Sequence, residues 1–425
     1  MSKLYPVVQW ANGTNIYEVN IRQYTKEGTF QAFSEHLPRL KEMGVEVLWL
    51  MPVTPISREK RLGTLGSYYA CSSYTEINTE FGSLDDFRQL VQQAHGLGMK
   101  LMIDWVANHT GYDHHWTKEH PDWYRKDNQG QFVELNGWND VIDLDYSNRA
   151  LHTGMISCMQ YWVTECDIDG FRCDMAHLVP LDFWKEARKQ CDALKPLFWM
   201  AECDVPAYLD VFDTTYAWNW MHITEKFRQQ QASLEDVRQV LAAYSRDTAG
   251  GGAKLYFTSN HDENSWNGTE YEKYGDAAKA LAVFTCTWPG IPLVYSGQEI
   301  PNTRRLPFFE KDSIQWTQQP LLQGFYRSLF AARRHNTALQ PGAALFELNT
   351  AAGDKIQAYL LVKGNDKALV VLNLSGSDRL KIQLSHPQLP AAYYSIFSGL
   401  ELALGTQASF ELQAWEYVVY STVKV

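Results

Sequence analysis

Short apolar runs alternate along most of this chain with segments whose apolar residues recur every three or four positions, the spacing of a helix face. Strands are predicted over residues 16–22, 45–51, 99–104, 170–174, 197–202, 211–215, 255–259 and 291–295. Helices are predicted over 30–43, 84–97, 149–165, 181–194, 217–245, 275–285 and 323–334. The strands read as nearly unbroken hydrophobic stretches, as parallel strands covered on both faces do. Closing eight strand–helix alternations into a (β/α)8 barrel is the economical solution. An open doubly wound sheet is the rival. Against it, no glycine-rich phosphate loop follows the first strand, and polar signals recur at many strand ends instead of at one crossover.

Two segments leave this rhythm. Between Asn108 and Asp145 the chain is polar and turn-rich, carrying Trp116, Trp123 and Trp138 with His109, His114, His115 and His120. A short excursion domain over 109–143 is therefore expected after the third strand, dividing the barrel into 1–108 and 144–340. Beyond it, strands without helices are predicted over 356–362, 368–374, 380–384, 393–397, 409–412 and 416–422. Residues 341–425 thus read as a C-terminal antiparallel β-sandwich. The expected class is α/β, a TIM barrel with these two additions.

Composition narrows the partners. At 425 residues, 45% hydrophobic and 20% charged, the chain is ordinary for a soluble globular protein. Aromatics reach 13%, with 15 Trp and 23 Tyr; rings fill cores, and they also suit a flat, partly apolar ligand such as a sugar. The net charge of −11 argues against nucleic acid or an anionic membrane as partner. No stretch approaches a membrane span, and the first residues lack a basic and apolar leader. A cytoplasmic setting is expected; a chain trimmed of a leader would instead be periplasmic or secreted. Seven cysteines occur without metal or redox spacing, and Cys158, Cys166, Cys191 and Cys286 sit in apolar or helical runs, so buried thiols are expected.

The chemistry lies at the predicted strand ends. In Gly170-Phe171-Arg172-Cys173-Asp174 the arginine and the aspartate share one face of a strand, since side chains alternate. The cation favours an ionised carboxylate, as a carboxylate nucleophile requires. A structural Arg–Asp pair would look the same. Other strand ends, however, read Asp104-x-x-x-Asn108-His109, Glu202 and Asn260-His261-Asp262. Single acids at strand ends often cap the next helix, but glutamate caps poorly, and capping does not account for two histidines and an arginine. Asp174, Glu202 and Asp262, from three strands, would converge on one barrel mouth.

These motifs resemble the α-amylase family of glycoside hydrolases. Asp104-Trp105-Val106-Ala107-Asn108-His109 is similar to the family's strand-3 motif, and Gly170-Phe171-Arg172-Cys173-Asp174 to its strand-4 motif. Trp199-Met200-Ala201-Glu202 resembles the strand-5 motif, and Phe257-Thr258-Ser259-Asn260-His261-Asp262 the strand-7 motif. Subsidiary matches are Ser67-Tyr68-Tyr69-Ala70, Val141-Ile142-Asp143-Leu144-Asp145 and Tyr295-Ser296-Gly297-Gln298-Glu299, so the likeness runs in family order over roughly 16–320. It implies retaining cleavage of α-1,4-glucosidic bonds in maltooligosaccharides or α-glucans, with Asp174 as nucleophile, Glu202 as acid/base and Asp262 bonding sugar hydroxyls. It assigns Tyr69, Asp104, His109, Arg172, His177 and His261 to substrate binding. Asn108 matches a residue that often ligates structural calcium, with Asp113, Asp122, Asp127 and Asp140 as further oxygen donors; the chemistry itself implies no cofactor.

Departures from the family pattern limit specificity. Many members carry Lys-His where this chain has His177-Leu178, and Ser73 stands where an aspartate commonly precedes a tyrosine. A 4-α-glucanotransferase, an α-glucosidase and a maltogenic or cyclodextrin-degrading enzyme share the mechanism and stay open. A non-catalytic carbohydrate-binding relative is opposed by the presence of all three carboxylates. A metal-dependent hydrolase using His109, Asp104 and His261 is opposed by the lack of a His-x-His pair on an early strand. Chain-length preference, transfer against hydrolysis and oligomeric state are left open by the motifs.

Overall fold

The computed structural model describes residues 5–425. In chain order the first strands are β1 (Ile16–Val19), β2 (Val47–Leu50), β3 (Lys100–Trp105), β4 (His109–Gly111) and β5 (Val141–Asp143). They are followed by β6 (Gly170–Cys173), β7 (Phe198–Ala201), β8 (Thr214–Tyr216), β9 (Ala253–Tyr256) and β10 (Ile291–Tyr295). Strands β1–β3 and β6–β10 form a closed parallel barrel, sealed where Ile16 of β1 pairs with Leu293 of β10. The small antiparallel pair β4–β5 stands outside it, within the polar excursion.

Local chemistry explains the elements. The helix Leu84–Gly96 opens on a Ser83–Asp86 capping box and buries Phe87, Leu90, Val91 and Ala94, one face at helical spacing. Gly170 begins β6 because a Cβ there would stand 2.2 Å from the Phe198 carbonyl oxygen of β7. The glycine of the Gly-x-Arg-x-Asp motif therefore lets two barrel strands approach beneath the site.

The helix expected over 217–245 is in fact two, Trp218–Arg228 and Leu234–Asp247. Gln230 turns left-handed (φ 61°) and Ser233 opens a new capping box with Asp236. Likewise the stretch 30–43 divides into Phe30–Ser34 and Leu37–Met43, with Pro38 starting the second helix, where its missing N–H costs nothing.

The C-terminal part holds β11 (Ala344–Glu347), β12 (Ile356–Lys363), β13 (Asp366–Asn373), β14 (Leu380–Ser385), β15 (Ala391–Ser395), β16 (Glu401–Leu404), β17 (Gln407–Leu412) and β18 (Tyr417–Ser421). Six form an antiparallel sheet in the order β11-β12-β13-β18-β15-β16, and β14 pairs with β17. Strands β11 and β16 escape the sequence pattern because both are short and largely solvent-facing. Period-two alternation gives β12 and β13 two buried faces. Ala358, Leu360, Leu369 and Val371 face the sandwich core, while Tyr359, Leu361, Val370 and Leu372 join the barrel's core. Tyr359 packs 5.0 Å from Trp288, fastening the sheet to the barrel.

All seven cysteines are free thiols and six are buried. Among the described residues no helix is long and apolar enough to cross a membrane.

Candidate active site

The strand ends meet as the barrel closes. Arg172, fully buried on β6, is the hub: its Nη1 donates to Asp104 Oδ1 and to Asp174 Oδ1, each at 2.8 Å. Its Nη2 lies 2.9 Å from Glu202 Oε2, an ion pair without the alignment of a hydrogen bond. Its Nε donates to the Tyr216 hydroxyl at 3.2 Å, and the guanidinium carbon stands 4.9 Å from the Trp49 ring centre. One cation thus holds carboxylates from three successive barrel strands, in the planar, forked geometry that favours arginine over lysine.

Met175, just past the nucleophile candidate, takes a left-handed conformation (φ 39°, ψ 44°) that side chains disfavour. That turn aims its N–H at Glu202 Oε2, 2.9 Å away.

Electrostatics separate the acids. Burial pushes Glu202 up to about 7; Arg172 opposes the rise, and Asp174 and Asp262 add to it. The neighbouring anions expected from the sequence to raise it are therefore secondary to desolvation. Asp174 is raised by burial to about 6, with Arg172 pulling it back down and Asp104 pushing it up. Both acids are thus held above the usual carboxylate range, and Asp174 is the one that accepts a hydrogen bond from the Arg172 cation.

His261 follows β9, and its Nδ1 lies 2.5 Å from Glu18 Oε1 of β1. Its Nε2 lies 2.8 Å from the Tyr69 hydroxyl and 3.3 Å from Asp262 Oδ2. Burial would depress this imidazole, but Asp262 and Glu18 outweigh it and raise it to about 9, so the ring is cationic. Tyr69 also donates to Asp104 Oδ2 at 3.0 Å and stacks on His261 with ring centres 5.5 Å apart. His109, as deeply buried, meets Trp138 edge-on at 5.1 Å and is lowered by burial to about 4; it is neutral.

A cavity of about 350 Å³ opens here, with Tyr69, His109, Asp174, Glu202 and Asp262 in its walls. Other parts of the wall are Met175, Trp138, Asp140, Trp266, Phe308 and Phe309. Its size sits at the lower end of the range for small-molecule sites.

Not every sequence candidate reaches the cavity. Asp104, Arg172 and His261 lie behind its wall; both Asp104 oxygens are occupied, by Arg172 and Tyr69, so it positions its neighbours instead of facing a ligand. His177 sits exposed on the short turn Ala176–Leu178, outside the cavity wall, because the chain turns outward after Met175. Asn108 is buried and donates to Asp143 Oδ1 at 3.3 Å. Of the other calcium candidates, Asp113 accepts from the Arg58 and Glu59 amides, Asp122 from Asn148, and Asp127 from the Gln129 and Gln131 amides. Among the described residues no three His, Cys, Asp or Glu side chains converge to hold a metal ion. Asp140, the remaining donor, is buried at the cavity wall.

Glu18, Trp266, Phe308 and Phe309 join the site with no motif in the sequence to mark them. Glu18 stands inside the strand Ile16–Val19, which the closed barrel buries completely.

The alpha-amylase catalytic-domain family matches residues 9–137 and 118–368 of this chain. A noncanonic maltogenic alpha-amylase AmyB from Thermotoga neapolitana superposes with a TM-score of 0.88 at 30% identity, covering 96% of this chain and 98% of that one. An alpha-amylase from Lactobacillus plantarum superposes with a TM-score of 0.85 at 28% identity, covering 97% and 99%. The alpha-amylase MalA of Haloarcula japonica is 27% identical over 401 residues, which cover 89% of this chain and 58% of that protein's length.

Proposed function

This chain is a glycoside hydrolase of the alpha-amylase family, and from that premise we propose that it cleaves α-1,4-glucosidic bonds in maltooligosaccharides or α-glucans with retention of configuration. The supporting observation is the shared guanidinium: Arg172 hydrogen-bonds Asp174 and only contacts Glu202, whose carboxyl burial raises well above its ordinary range. A nucleophile and a proton donor at one mouth are the two parts double displacement needs.

In the first step an Asp174 oxygen attacks the anomeric carbon as the glycosidic C–O bond breaks. Glu202 gives its proton to the departing oxygen, so the leaving sugar departs neutral. The product is a glucosyl ester on Asp174, and Glu202 is left ionised. In the second step Glu202 takes a proton from water as the water oxygen displaces Asp174, which restores both groups. Two inversions give net retention.

Asp262, part-exposed at the cavity wall and 3.3 Å from the His261 cation, is placed to accept hydrogen bonds from ring hydroxyls. Tyr69, fixed by Asp104 and His261, presents its ring to the sugar.

Proton NMR of maltoheptaose cleavage tests this. The α-anomer should appear first at the new reducing end; first appearance of the β-anomer would overturn the mechanism. The same samples sort the family's activities. Glucose alone signals exo-action, and oligomers longer than the input signal transfer.

A further inference from the structure

The barrel ladder breaks at one residue beside the acid. Where β6 runs along β7, Cys173 pairs with Ala201, and the Cys173 carbonyl accepts from the Glu202 amide at 3.0 Å. Regular parallel pairing would then bring Met175, two residues on, to the Glu202 carbonyl. Ala176 takes that carbonyl instead, its amide 3.2 Å away. Two residues thus stand where the ladder has room for one, a bulge. On its other side β6 keeps the regular pairing through Asp174, whose amide reaches the Trp105 carbonyl at 3.0 Å. The irregularity is confined to Met175, whose left-handed conformation (φ 39°, ψ 44°) is one that bulges commonly give to glycine.

The N–H that leaves the ladder is the one that meets Glu202 Oε2 at 2.9 Å. Arg172 Nη2 stands 2.9 Å from the same oxygen. Among the described residues no donor reaches Oε1, and Glu202 lines the cavity. A carboxyl group with donors gathered at one oxygen accepts through that oxygen and carries its proton on the other.

We propose that Met175 is a positioning residue for the acid, acting through its backbone: the bulge frees its N–H to fix Glu202 Oε2, which leaves the transferable proton on Oε1, toward the sugar. The proposal rests on the glucan-cleaving reading above. Oε1 gives its proton to the leaving oxygen and later takes one from water, while Oε2 keeps the Met175 N–H throughout. The other groups around Glu202 belong to other positions: Arg172 and Asp174 with β6, Asp104 in β3, Asp262 after β9, Tyr216 of β8 and the adjacent Cys203. Burial raises the Glu202 carboxyl, and the Met175 N–H works against that rise by favouring the ionised form.

The test compares wild type, Met175→Gly and Met175→Val on maltotriose and on α-maltosyl fluoride. Both substrates transfer the same maltosyl group, but fluoride needs little proton donation to leave. Glycine keeps the left-handed turn and valine opposes it. In Met175→Val the ratio of kcat/KM on maltotriose to that on the fluoride should fall on the order of tenfold; in Met175→Gly it should hold. Equal falls in both variants would assign the role to the side chain and overturn the proposal, as would an unmoved ratio in Met175→Val. An ester in place of the amide joining Asp174 to Met175 removes the N–H alone and spares the side chain. Infrared titration of Glu202, assigned with Glu202→Gln, should then move up by about one pH unit, the loss of one charge-assisted hydrogen bond. The alkaline fall of kcat/KM should move up with it, because Glu202 serves as acid only while protonated. An unmoved midpoint would overturn the proposal. The shift seen in a protein inert on both substrates would instead sink the assigned reaction, and the acid's role with it.

Discussion

His261 and His109 belong to one site and are equally out of water, yet they carry opposite charge states. Burial disfavours the cation in both. His261 stays protonated to about pH 9 because Glu18 and Asp262 flank it; His109, set against Trp138, loses its proton at about 4. Depth alone therefore does not decide charge in this barrel mouth. Carboxylates do, one adjacent in sequence and one delivered by β1: the surroundings of His261 are ionic where those of His109 and Trp138 are neutral and aromatic.

The harshest way to break this contrast is at its hub. Arg172→Met leaves Asp104, Asp174 and Glu202 buried without their cation, which should cost at least about 3 kcal/mol of stability. Urea unfolding would measure it. Any activity that survives should move to higher pH, because the carboxyls then ionise later.

Next comes Glu202→Gln, expected to lower kcat on maltooligosaccharides by about 10²–10⁴. Aryl glycosides with good leaving groups should lose less. Glu202 serves as acid only while protonated, so wild-type kcat/KM should fall as pH rises through about 7. The variant should lack that fall.

Glu18→Gln removes one of the two anions that hold His261 charged. A raised histidine stabilises fully below its unfolded value of about 6.5, and that contribution disappears as pH rises through about 9. Unfolding free energies at pH 6.5 and 9.5 should differ less in the variant than in wild type. Activity should drop on the order of tenfold, with its alkaline decline beginning at lower pH.

Smallest is His109→Gln, which swaps one neutral hydrogen-bonding side chain for another. A rise in KM of several-fold is expected, about 1 kcal/mol of binding, while the pH–rate profile between 5 and 9 stays where it was. A shifted profile would mean His109 is charged after all, and the contrast would collapse.

The chemistry was readable wherever function sits in neighbouring residues. Asp104, Asn108 and His109 fall within six positions, and Arg172 and Asp174 within three, so strand alternation alone put the last two on one face. Glu18 was not readable that way. Its partner His261 lies 243 residues on, and an acid amid strand residues looks like a solvent-facing position until the barrel closes around it. The dominance of burial over neighbouring charge at Glu202 likewise depends on packing that no motif states. His177 stands at a family binding position while departing from the family's Lys-His pair, and the outward turn after Met175 carries it to the surface; turn direction is a backbone property. The aromatic wall is not legible in the sequence because Trp266 and Phe308 come from different loops, each carrying no motif of its own.

The central claim is that Asp174, held by Arg172, bonds covalently to the sugar. Peptide mass spectrometry after reaction with a 5-fluoro-α-glucosyl fluoride, whose intermediate breaks down slowly, tests it directly. The account predicts one fluoroglucosyl group on the peptide containing Asp174, and none in Asp174→Asn. A stable adduct on Glu202 or Asp262, or turnover of the reagent by the Asp174→Asn protein, would contradict it.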